Sequence, residues 1–594
     1  MHQKHIERRI IRNAFYVSLF VFILTSLTST IGSLVDGIVI GQFLGMDSIA
    51  AFGIISPLMI VFSLAGAIVS TGARNRFTKL IGNGMVEKAN AVFSLSCILS
   101  AGIALLMMAA ICLFATPFTT ILGATGKAAY LLPKARAYLL GIAIGLPAMN
   151  LVRTLNAYMA IDNDRNLPII SSIAMTISDI LFDLLAVMVF HGDTFEMGLA
   201  TSLSYYIALV VLLMHFRKKN IVLKFSFKNI RWSESAGIVS SGLPAGICRI
   251  GNTLRSTFMN HMLAVAASAA AIAAYSVHRQ ADSFLNPLTI GMADTVAMIA
   301  GVLVGEENRP AIKRLLSESV RATFIITLGI SVIAYITAPW FAMLYIKDDP
   351  EALILAISAT RAYAIGMPFY GLNLIYLNYF QGIGKNILSS VSGFLLEAGF
   401  LMLSAGIMMP LFGADAVWYA FPVTQVLMFL YYGVVLFVEE RRIGLVGKNV
   451  WERAMMLPES FDVADEDRLD CSVGSMEDVS ELSVAAWNFC EAHGCDARRK
   501  YLISLSIEEL AGNVVNHGFR NGKQGSIDIR ILKKGDDYYV RFRDDCLIFD
   551  PVKQLTLYTN KEKVDHIGLR MTIGIAKDVQ YTSVLKLNNL LLKL

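Results

Sequence analysis

Apolar residues come in runs of about 20 positions, separated by short polar breaks, from the start of the chain to about residue 439. Runs of this length predict membrane-spanning helices, because about 20 residues of helix cross the hydrocarbon core of a bilayer. After Trp451 charged residues become dense and no run is long enough to span. We predict twelve spans, near 13–35, 49–71, 90–114, 131–155, 168–190, 196–216, 236–263, 275–303, 319–343, 353–380, 388–410 and 414–438.

The amino-acid composition agrees with this pattern and limits the classes of binding partner. The 594 residues are 55% hydrophobic and only 16% charged, which is typical of a membrane protein. The lipid bilayer is therefore an expected partner. The net charge of +5 is modest and lies largely in loops, so we expect no binding to nucleic acid.

The basic loops alternate along the chain, which predicts its orientation. Lys and Arg are concentrated after the second, sixth, eighth and twelfth spans, in residues 74–88, 217–231, 309–314 and 441–448. Loops rich in Lys and Arg remain on the cytoplasmic side of a membrane. We therefore predict a multi-pass protein of the cell (inner or plasma) membrane with both termini in the cytoplasm, where ATP is present.

An internal repeat divides the membrane part into two halves. Segment 141–159 resembles segment 362–380, and three residue pairs match at a constant offset of 221: Gly145 with Gly366, Pro147 with Pro368, and Tyr158 with Tyr379. Ile81-Gly82 similarly matches Val304-Gly305. Parallel repeats place the substrate path between halves that rock against each other. We predict two six-helix halves, residues 1–220 and 221–445.

Carboxylates inside the first-half spans are candidates for ion coupling. Asp36 is the only charged residue of the apolar run that begins at Asn13, and Asp179 and Asp183 lie one helical turn apart in the fifth span. A carboxylate inside a span is costly and marks a pathway or a proton site by default. Two neighbouring carboxylates in a low dielectric cannot both ionise cheaply. This arrangement predicts a site that holds a proton or shares a cation.

The second half carries a different set of polar residues. Its spans contain Arg249, Asn252 and Arg255 in the seventh, His278, Arg279 and Asp282 in the eighth, and Glu397 in the eleventh. Arg249 and Arg255, with Asn252 between them, are candidates for a substrate cavity. The alternative, that the arginines are counter-charges of buried acids, stays open.

These residues resemble the multidrug and toxic compound extrusion (MATE) transporters over about residues 10–440. The segments that carry the resemblance are VDGIVIGQFLG, AFGIISPLMI, TGARNRFTKLIGNG and the two Gly-x-Pro spans. The resemblance implies export of organic molecules in exchange for H⁺ or Na⁺. It also implies a cation site at Asp36, Asp179, Asp183 and Thr201, with Asp179 standing where the family has Asn. Another branch has an acid at the position of Asn252, so we expect no second-half cation site.

The C-terminal region has the pattern of a small α/β domain. We expect a linker over 446–475 and a cytosolic domain over 476–594. The pattern predicts a helix over 498–519, strands near 525–534 and 537–544, and one last strand near 579–593. Within the helix, Glu509, Asn513 and His517 recur every four residues and so share one face.

The order E-x3-N-x3-HG, a strand ending in Asp544, then Ile567-Gly568-Leu569 resembles the ATP-binding fold of anti-sigma-factor serine kinases, histidine kinases and gyrases (the GHKL type). The resemblance implies that Glu509 activates a hydroxyl or water and that Asn513 ligates Mg²⁺. It further implies that Asp544 reads adenine and that Gly568 lets backbone amides approach phosphate; His517 matches a motif position. The expected cofactor is ATP with Mg²⁺.

Departures from that motif keep several functions open. Cys546 and Ile548 replace the two glycines of the family's D-x-G-x-G, and a β-carbon there hinders a close approach of backbone to ligand. A weak or degenerate serine/threonine kinase and a purely regulatory domain that contacts a cytosolic protein are therefore both open. For the whole chain the first hypothesis is a cation-coupled exporter of organic molecules with an ATP-binding regulatory domain. The alternatives are a lipid-linked-intermediate flippase and a membrane-anchored kinase-type signalling protein.

Overall fold

A computed structural model of the chain describes residues 2–39, 43–44, 46–122, 124–164, 166–218, 221–266, 269–346, 349–519, 527–546, 550–551, 553 and 567–594. The helices of the first half are α1 (His2–Val39), α2 (Met46–Gly82), α3 (Val86–Ile121), α4 (Leu132–Ala143), α5 (Leu146–Met159), α6 (Asn166–Met188) and α7 (Thr194–Leu213). The fourth predicted span is the pair α4 and α5, which meet at an angle of 47°. The bend lies just before Pro147 near the start of α5, where a proline is tolerated in a helix.

The second half repeats this arrangement of helices. Its helices are α8 (Glu234–Ala266), α9 (Ala269–Gly305), α10 (Arg309–Met343), α11 (Pro350–Gly382), α12 (Asn386–Phe394), α13 (Phe400–Phe412) and α14 (Ala420–Arg442). A π-helical stretch, Leu395–Gly399, joins α12 to α13 so that the two form one span. Each of the twelve predicted spans is therefore helical.

Within the described residues, nine helices are long and apolar enough to cross a membrane, or ten if the bent pair is one span. The remaining two predicted spans are α8, which carries Arg249 and Arg255, and α1, whose apolar described part is Arg12–Thr28. The architecture is a membrane bundle of two six-span halves followed by a small α/β domain, as the sequence predicts.

Arg74 and Arg76 are not loop residues, although the sequence places them after the second span. Helix α2 continues to Gly82, and Arg74 is buried inside it. Its guanidinium pairs with Asp294 of α9 at 2.7 Å. This ion pair between the two halves allows a charged residue to lie inside the bundle, because a buried charge is tolerated when it is paired.

The halves meet where α2 and α9 end. A β-carbon added at Gly82 would lie 2.9 Å from the Cα of Gly305, and one added at Gly305 would lie 2.8 Å from the Cα of Gly82. These are the glycines that the internal repeat pairs. Because neither has a side chain, the two helix backbones come into direct contact. We call this contact the glycine joint.

The C-terminal domain is a five-stranded antiparallel sheet with helices on one face. Its strands are β1 (Arg468–Val473), β2 (Ile527–Lys534), β3 (Asp537–Asp544), β4 (Asp578–Val584) and β5 (Leu587–Lys593), in the order β1-β2-β3-β5-β4. The helices that follow the membrane bundle are α15 (Val450–Met455), α16 (Met476–Ala492), α17 (Ala497–Ser506) and α18 (Ile567–Ile575). The core of the domain lies between the sheet and α16 and α17.

Two sequence predictions about this domain were wrong in detail, and the predicted helix over 498–519 is present but changes its helix type. Strand β1 falls inside the segment assigned to the linker, where charged neighbours hide its short alternation. The single last strand is instead the hairpin β4–β5, turning at Leu585 and Lys586, which both have positive φ without the usual Asn or Gly. The helix after α17 becomes π-helical over Ile507–Ala511 and Val514–Gly518.

The glycine joint yields a stability prediction. Gly82→Val should force α2 and α9 apart and destabilise the protein by about 1–3 kcal/mol, the usual cost of overpacking. The control is Gly433→Val, because no atom of the described residues lies within 4 Å of a β-carbon added at Gly433. Thermal unfolding of the detergent-solubilised chain should show a lower Tm for Gly82→Val alone. Equal Tm values for the two variants would contradict a tight joint.

Candidate functional site

Asp179 and Asp183 lie on one face of α6 and point into the bundle. Both side chains are buried, with relative exposures of 6% and 0%. Neither carboxylate oxygen of Asp183 has a hydrogen-bond partner among the described residues. A buried acid without a hydrogen-bond donor is poorly stabilised in its charged form. This arrangement is compatible with the cation site that the sequence predicts, and the role of Asp183 stays a prediction.

The other two residues of the predicted cation site are placed less completely. Asp36 lies near the end of α1, and its side chain is outside the described residues. One turn before it, a β-carbon added at Gly32 would lie 3.6 Å from the hydroxyl oxygen of Thr176 of α6, and Thr176 donates to the backbone oxygen of Thr28 at 3.3 Å. Thr201 lies on α7, and its hydroxyl donates to the backbone oxygen of Met197 in its own helix.

A cavity of about 510 Å³ is lined by both halves. Its wall includes Arg153 of the first half and Arg249 and Asp294 of the second. Arg153 donates to the backbone oxygen of Ser63 at 2.7 Å. The predicted cavity residue Arg249 is therefore in the wall of a space between the halves, close enough to touch a bound molecule.

A second cavity, of about 410 Å³, is lined mainly by α8, α9 and the segment before α14. Asn252 and Arg255 are in its wall. Three residues, Thr30, Pro287 and Ile290, line both cavities. The two spaces therefore adjoin, and all three predicted cavity residues face one or the other.

An ion cluster that sequence analysis did not assemble stands beside the second cavity. Arg255 lies 3.4 Å from Asp282 and 3.5 Å from Glu397. Tyr363 donates to Asp282 at 2.9 Å, and Tyr370 donates to Glu397 at 3.0 Å. Both acids are visible in the sequence as charges inside predicted spans, but no sequence spacing connects the separate segments that carry Arg255, Asp282 and Glu397.

In the C-terminal domain, the residues of the predicted nucleotide site lie around the end of β3. Asp544 is the last residue of β3 and is buried. One of its oxygens accepts from the Asn588 side chain at 2.8 Å and from the backbone of Cys546 at 2.9 Å. Burial raises the pKa of Asp544, and these hydrogen bonds counteract that effect. They also fix the carboxylate at the mouth of the sheet.

The helix that carries Glu509, Asn513 and His517 ends next to this carboxylate. Glu509 and Asn513 are partly exposed and His517 is exposed. A β-carbon at Gly518 would lie 3.4 Å from the side chain of Cys546. Gly518 therefore makes room for the cysteine that replaces the family's glycine, so this departure does not push the helix away from the strand.

Gly568 lies in α18, but its immediate surroundings are outside the described residues, as is Ile548. The sequence prediction for Gly568 therefore stays a prediction.

The C-terminal domain also touches both halves of the membrane bundle. In the first half, the backbone of Leu585 donates to Ile161 at 2.9 Å, and the Asn163 side chain donates to the Ser583 hydroxyl at 2.9 Å. Asn163 lies between Asp162 and Asp164, which are both hydrogen-bonded to His215. The loop after α5, which contacts the β4–β5 turn, is thus anchored by hydrogen bonds within the first half.

In the second half, the contact is made by the residues that directly follow the glycine joint. Glu306 is buried and binds Arg543, Arg541 at 3.7 Å and Asn589 at 3.2 Å. Arg309 binds Glu452, between the bundle and the domain, at 2.9 Å. Sequence analysis missed Glu306 because two adjacent acids, Glu306 and Glu307, in a short loop look like an ordinary solvated turn.

Comparison with known proteins identifies the class. A family model described as MatE matches residues 22–185 and 244–400, more than half of the chain. The chain therefore belongs to the MatE family and is a multi-pass membrane transporter, so the resemblance found in the sequence is confirmed.

Individual relatives agree with this class. The chain is 22% identical over 376 residues to the multidrug export protein MepA of Staphylococcus haemolyticus (strain JCSC1435), covering 61% of this chain and 80% of that protein. Its fold is similar to a MATE crystal structure in complex with MaD3S, with TM-score 0.65, 19% identity, and coverage of 71% of this chain and 96% of that one. A mutant of the Vibrio cholerae MATE transporter VcmN gives TM-score 0.67, 16% identity, and coverage of 73% and 98%.

The C-terminal domain has its own match. A model described as a histidine kinase-like ATPase domain covers residues 474–593. This confirms the second resemblance, to a fused domain of the ATP-binding type. It also agrees with the five-stranded sheet and the helices packed on one of its faces.

The second-half ion cluster yields a prediction. Arg255→Ala should lower the Tm of the solubilised chain, because it leaves Asp282 and Glu397 without their cation; breaking a buried pair costs about 3–5 kcal/mol. Adding Glu397→Gln to Arg255→Ala should recover part of the loss. If the single variant unfolds at the wild-type temperature, Arg255 does not neutralise these acids.

Proposed function

We propose that the chain is a cation-coupled antiporter that exports organic, drug-like molecules across the cell membrane. Both termini lie in the cytoplasm, and the C-terminal domain is an ATP-binding regulator. The observation that carries the coupling is Asp183, fully buried beside Asp179 with neither oxygen hydrogen-bonded among the described residues. The relative MepA, named as a multidrug export protein, supports organic molecules as substrates.

Coupling follows from the way these acids respond to a proton or Na⁺. Uptake of the cation by Asp36, Asp179 and Asp183 neutralises charge inside α1 and α6, and loss of the cation restores it. A ligand shifts a conformational equilibrium only by its difference in affinity for the two states. A cation that binds one access state better therefore drives the halves toward that state, and a substrate that prefers the other state is exchanged for it. Thr201 is the proposed polar neighbour on α7.

The adjoining cavities supply the substrate path. The space lined by both halves contains Arg249, and the adjoining space contains Asn252 and Arg255. Because both spaces border α9, a tilt of the second half changes both together. We assign these three residues to substrate contact, with Arg255 also neutralising Asp282 and Glu397.

Neutral replacement of the acids tests the coupling. Asp183→Asn and Asp36→Asn should reduce gradient-driven efflux of a fluorescent organic cation from proteoliposomes to the level of protein-free liposomes, because an amide cannot exchange the cation. Asp47→Asn, an exposed acid in the first turn of α2, is the control and should transport normally. Imposing a pH gradient and a Na⁺ gradient separately identifies the ion. Normal efflux by Asp183→Asn would remove this acid from the mechanism.

Regulation follows from the position of the C-terminal domain across the glycine joint. The β4–β5 turn binds the loop after α5 in the first half, while β3 and β5 bind Glu306 in the second half. One sheet therefore contacts both halves at the same end of the bundle. Rocking of the halves there must break one set of contacts, so the domain acts as a clamp on transport.

ATP would bind on the helix-covered face of the C-terminal sheet, opposite the face that contacts the membrane bundle. Asp544 would read adenine, Asn513 would hold Mg²⁺, and Glu509, His517 and Gly568 complete the site that the resemblance implies. Asp544 and Asn588 are cross-strand partners at the ends of β3 and β5, and Asn589 on β5 binds Glu306. Adjacent residues of one strand thus touch the nucleotide site and the clamp, which gives nucleotide binding a short route to the membrane bundle.

Nucleotide dependence of transport tests this regulation. ATP with Mg²⁺ should change the efflux rate of the wild-type chain, and Asp544→Ala should abolish both ATP binding and the change in rate. Glu306→Gln should still bind ATP but lose the change in rate, because its bonds to Arg541 and Arg543 are weakened. Glu481→Gln, an exposed acid on α16, is the matched control.

Two outcomes would count against the regulatory part. If the full wild-type chain binds no adenine nucleotide, the domain is degenerate. If ATP alters efflux equally in wild type and Glu306→Gln, the clamp is not the route of regulation. Neither outcome affects the coupling assigned to Asp183.

A further inference from the structure

A cavity of about 230 Å³ lies between the membrane bundle and the C-terminal sheet, on the face of the sheet away from its helices. One wall is the start of α10, with Asn308, Pro310 and Arg314. The other wall is formed by the side chains of β1, β2 and β3 that point away from the domain core. This cavity is separate from both transport cavities and from the surroundings of Asp544, and the functions proposed above do not use it.

The cavity is lined by an unusual number of arginines. Five guanidinium groups, those of Arg314, Arg468, Arg530, Arg541 and Arg543, face two carboxylates, those of Asp470 and Asp528. Arg530 and Arg541 are direct cross-strand partners, an arrangement in which like charges repel. We call this cavity the arginine pocket.

The acids around the pocket pair with most of these guanidinium groups. Glu306 binds Arg543 and Arg541, Asp462 binds Arg530 and Arg468, and Asp470 lies 3.1 Å from Arg530 and 3.7 Å from Arg468, which Asp465 also binds. Arg541 is nonetheless only 8% exposed, and its Nε has no hydrogen-bond acceptor among the described residues. Burial lowers the pKa of Arg541 and of Arg543 to about 10. A buried guanidinium donor at the pocket is therefore left without an acceptor among the described residues.

These features specify the chemistry of a ligand. Guanidinium groups form paired hydrogen bonds with planar or tetrahedral oxyanions, and the start of a helix favours negative charge. The two lining acids and the acids that pair with these arginines from behind the wall, Glu306, Asp462 and Asp465, balance most of the positive charge, so the pocket is distinguished by its density of guanidinium donors. A phosphate group has three acceptor oxygens in a tetrahedral arrangement and can accept from several guanidinium groups at once, whereas a carboxylate offers two oxygens in one plane.

We propose that the arginine pocket binds a phosphate-bearing anion, supplied either by a soluble phosphate compound or by the headgroup of an anionic lipid. The anion bridges the start of α10 in the second half and strands β1–β3 of the C-terminal domain. Its binding therefore strengthens the contact between the domain and that half. The binding itself does not depend on the direction or the substrate of transport.

Two isosteric variants test the site on the full-length chain. Asn308→Asp adds a negative charge in the wall of the pocket and keeps the side-chain oxygen that accepts from Ala311. Asp528→Asn removes a negative charge and keeps the oxygen that accepts from Ser472. The control Asp536→Asn makes the same charge change in the exposed β2–β3 turn.

Calorimetric titration in detergent with inorganic phosphate and with pyrophosphate, without Mg²⁺, measures the soluble source. We expect Asn308→Asp to weaken binding and Asp528→Asn to tighten it, each by about three- to tenfold from the added or removed charge. Asp536→Asn should match wild type. A second experiment measures how much phosphatidylglycerol each variant retains after purification from nanodiscs. We expect Asp528→Asn to retain the most and Asn308→Asp the least, with Asp536→Asn equal to wild type.

The results separate the sources and can overturn the proposal. If the variants differ only in their affinity for phosphate or pyrophosphate, the ligand is a soluble phosphate compound. If they differ only in the amount of phosphatidylglycerol retained, the ligand is a lipid headgroup. The proposal is wrong if neither probe binds, or if binding is the same in wild type, Asn308→Asp and Asp528→Asn. In that case the arginines serve only to hold the domain to Glu306 and Asp462.

Discussion

The backbone contact between Gly82 and Gly305 is the constraint on which the rest of the structure depends. It brings α2 of one half against α9 of the other, and it does so at the end of the bundle that carries the C-terminal domain. Arg74 of α2 reaches Asp294 of α9 within the same helix pair. Any side chain at the glycine joint would push α2 and α9 apart. This would lengthen the Arg74–Asp294 ion pair and displace the loop that begins at Glu306.

The two faces of the C-terminal sheet divide the work of the domain. The apolar face packs on α16 and α17 and carries Asp544 at its edge, while the charged face lies against the membrane bundle. Antiparallel sheets often leave one face to water. Here that face is covered, and Arg530, Arg541 and Arg543 are buried with it. The buried charges make the position of the domain specific, because another position would leave them without Asp462 and Glu306.

Much of the fold could be predicted from the sequence, and for physical reasons. Spans are long apolar runs, and Asp179 and Asp183 share a face because one helix fixes their spacing. The cluster of Arg255, Asp282 and Glu397 could not be predicted, because it depends on how three separate helices pack. The contact at Glu306 was missed for the same reason. Strand β1 was missed because charged neighbours hide its short alternation, and the β4–β5 turn was missed because Leu585 and Lys586 are not the usual turn residues.

The placement of one sheet across both halves has a consequence in the opposite direction. Linkage between two binding equilibria is reciprocal, so whatever a ligand of the domain does to the halves, the halves do to that ligand's affinity. If the two halves rock against each other during export, the contacts between the halves and the C-terminal sheet would alternately strengthen and weaken. The affinity of the C-terminal domain for its ligand would then depend on the conformation of the membrane bundle. The domain would in this way report the state of the transporter to soluble components of the cell.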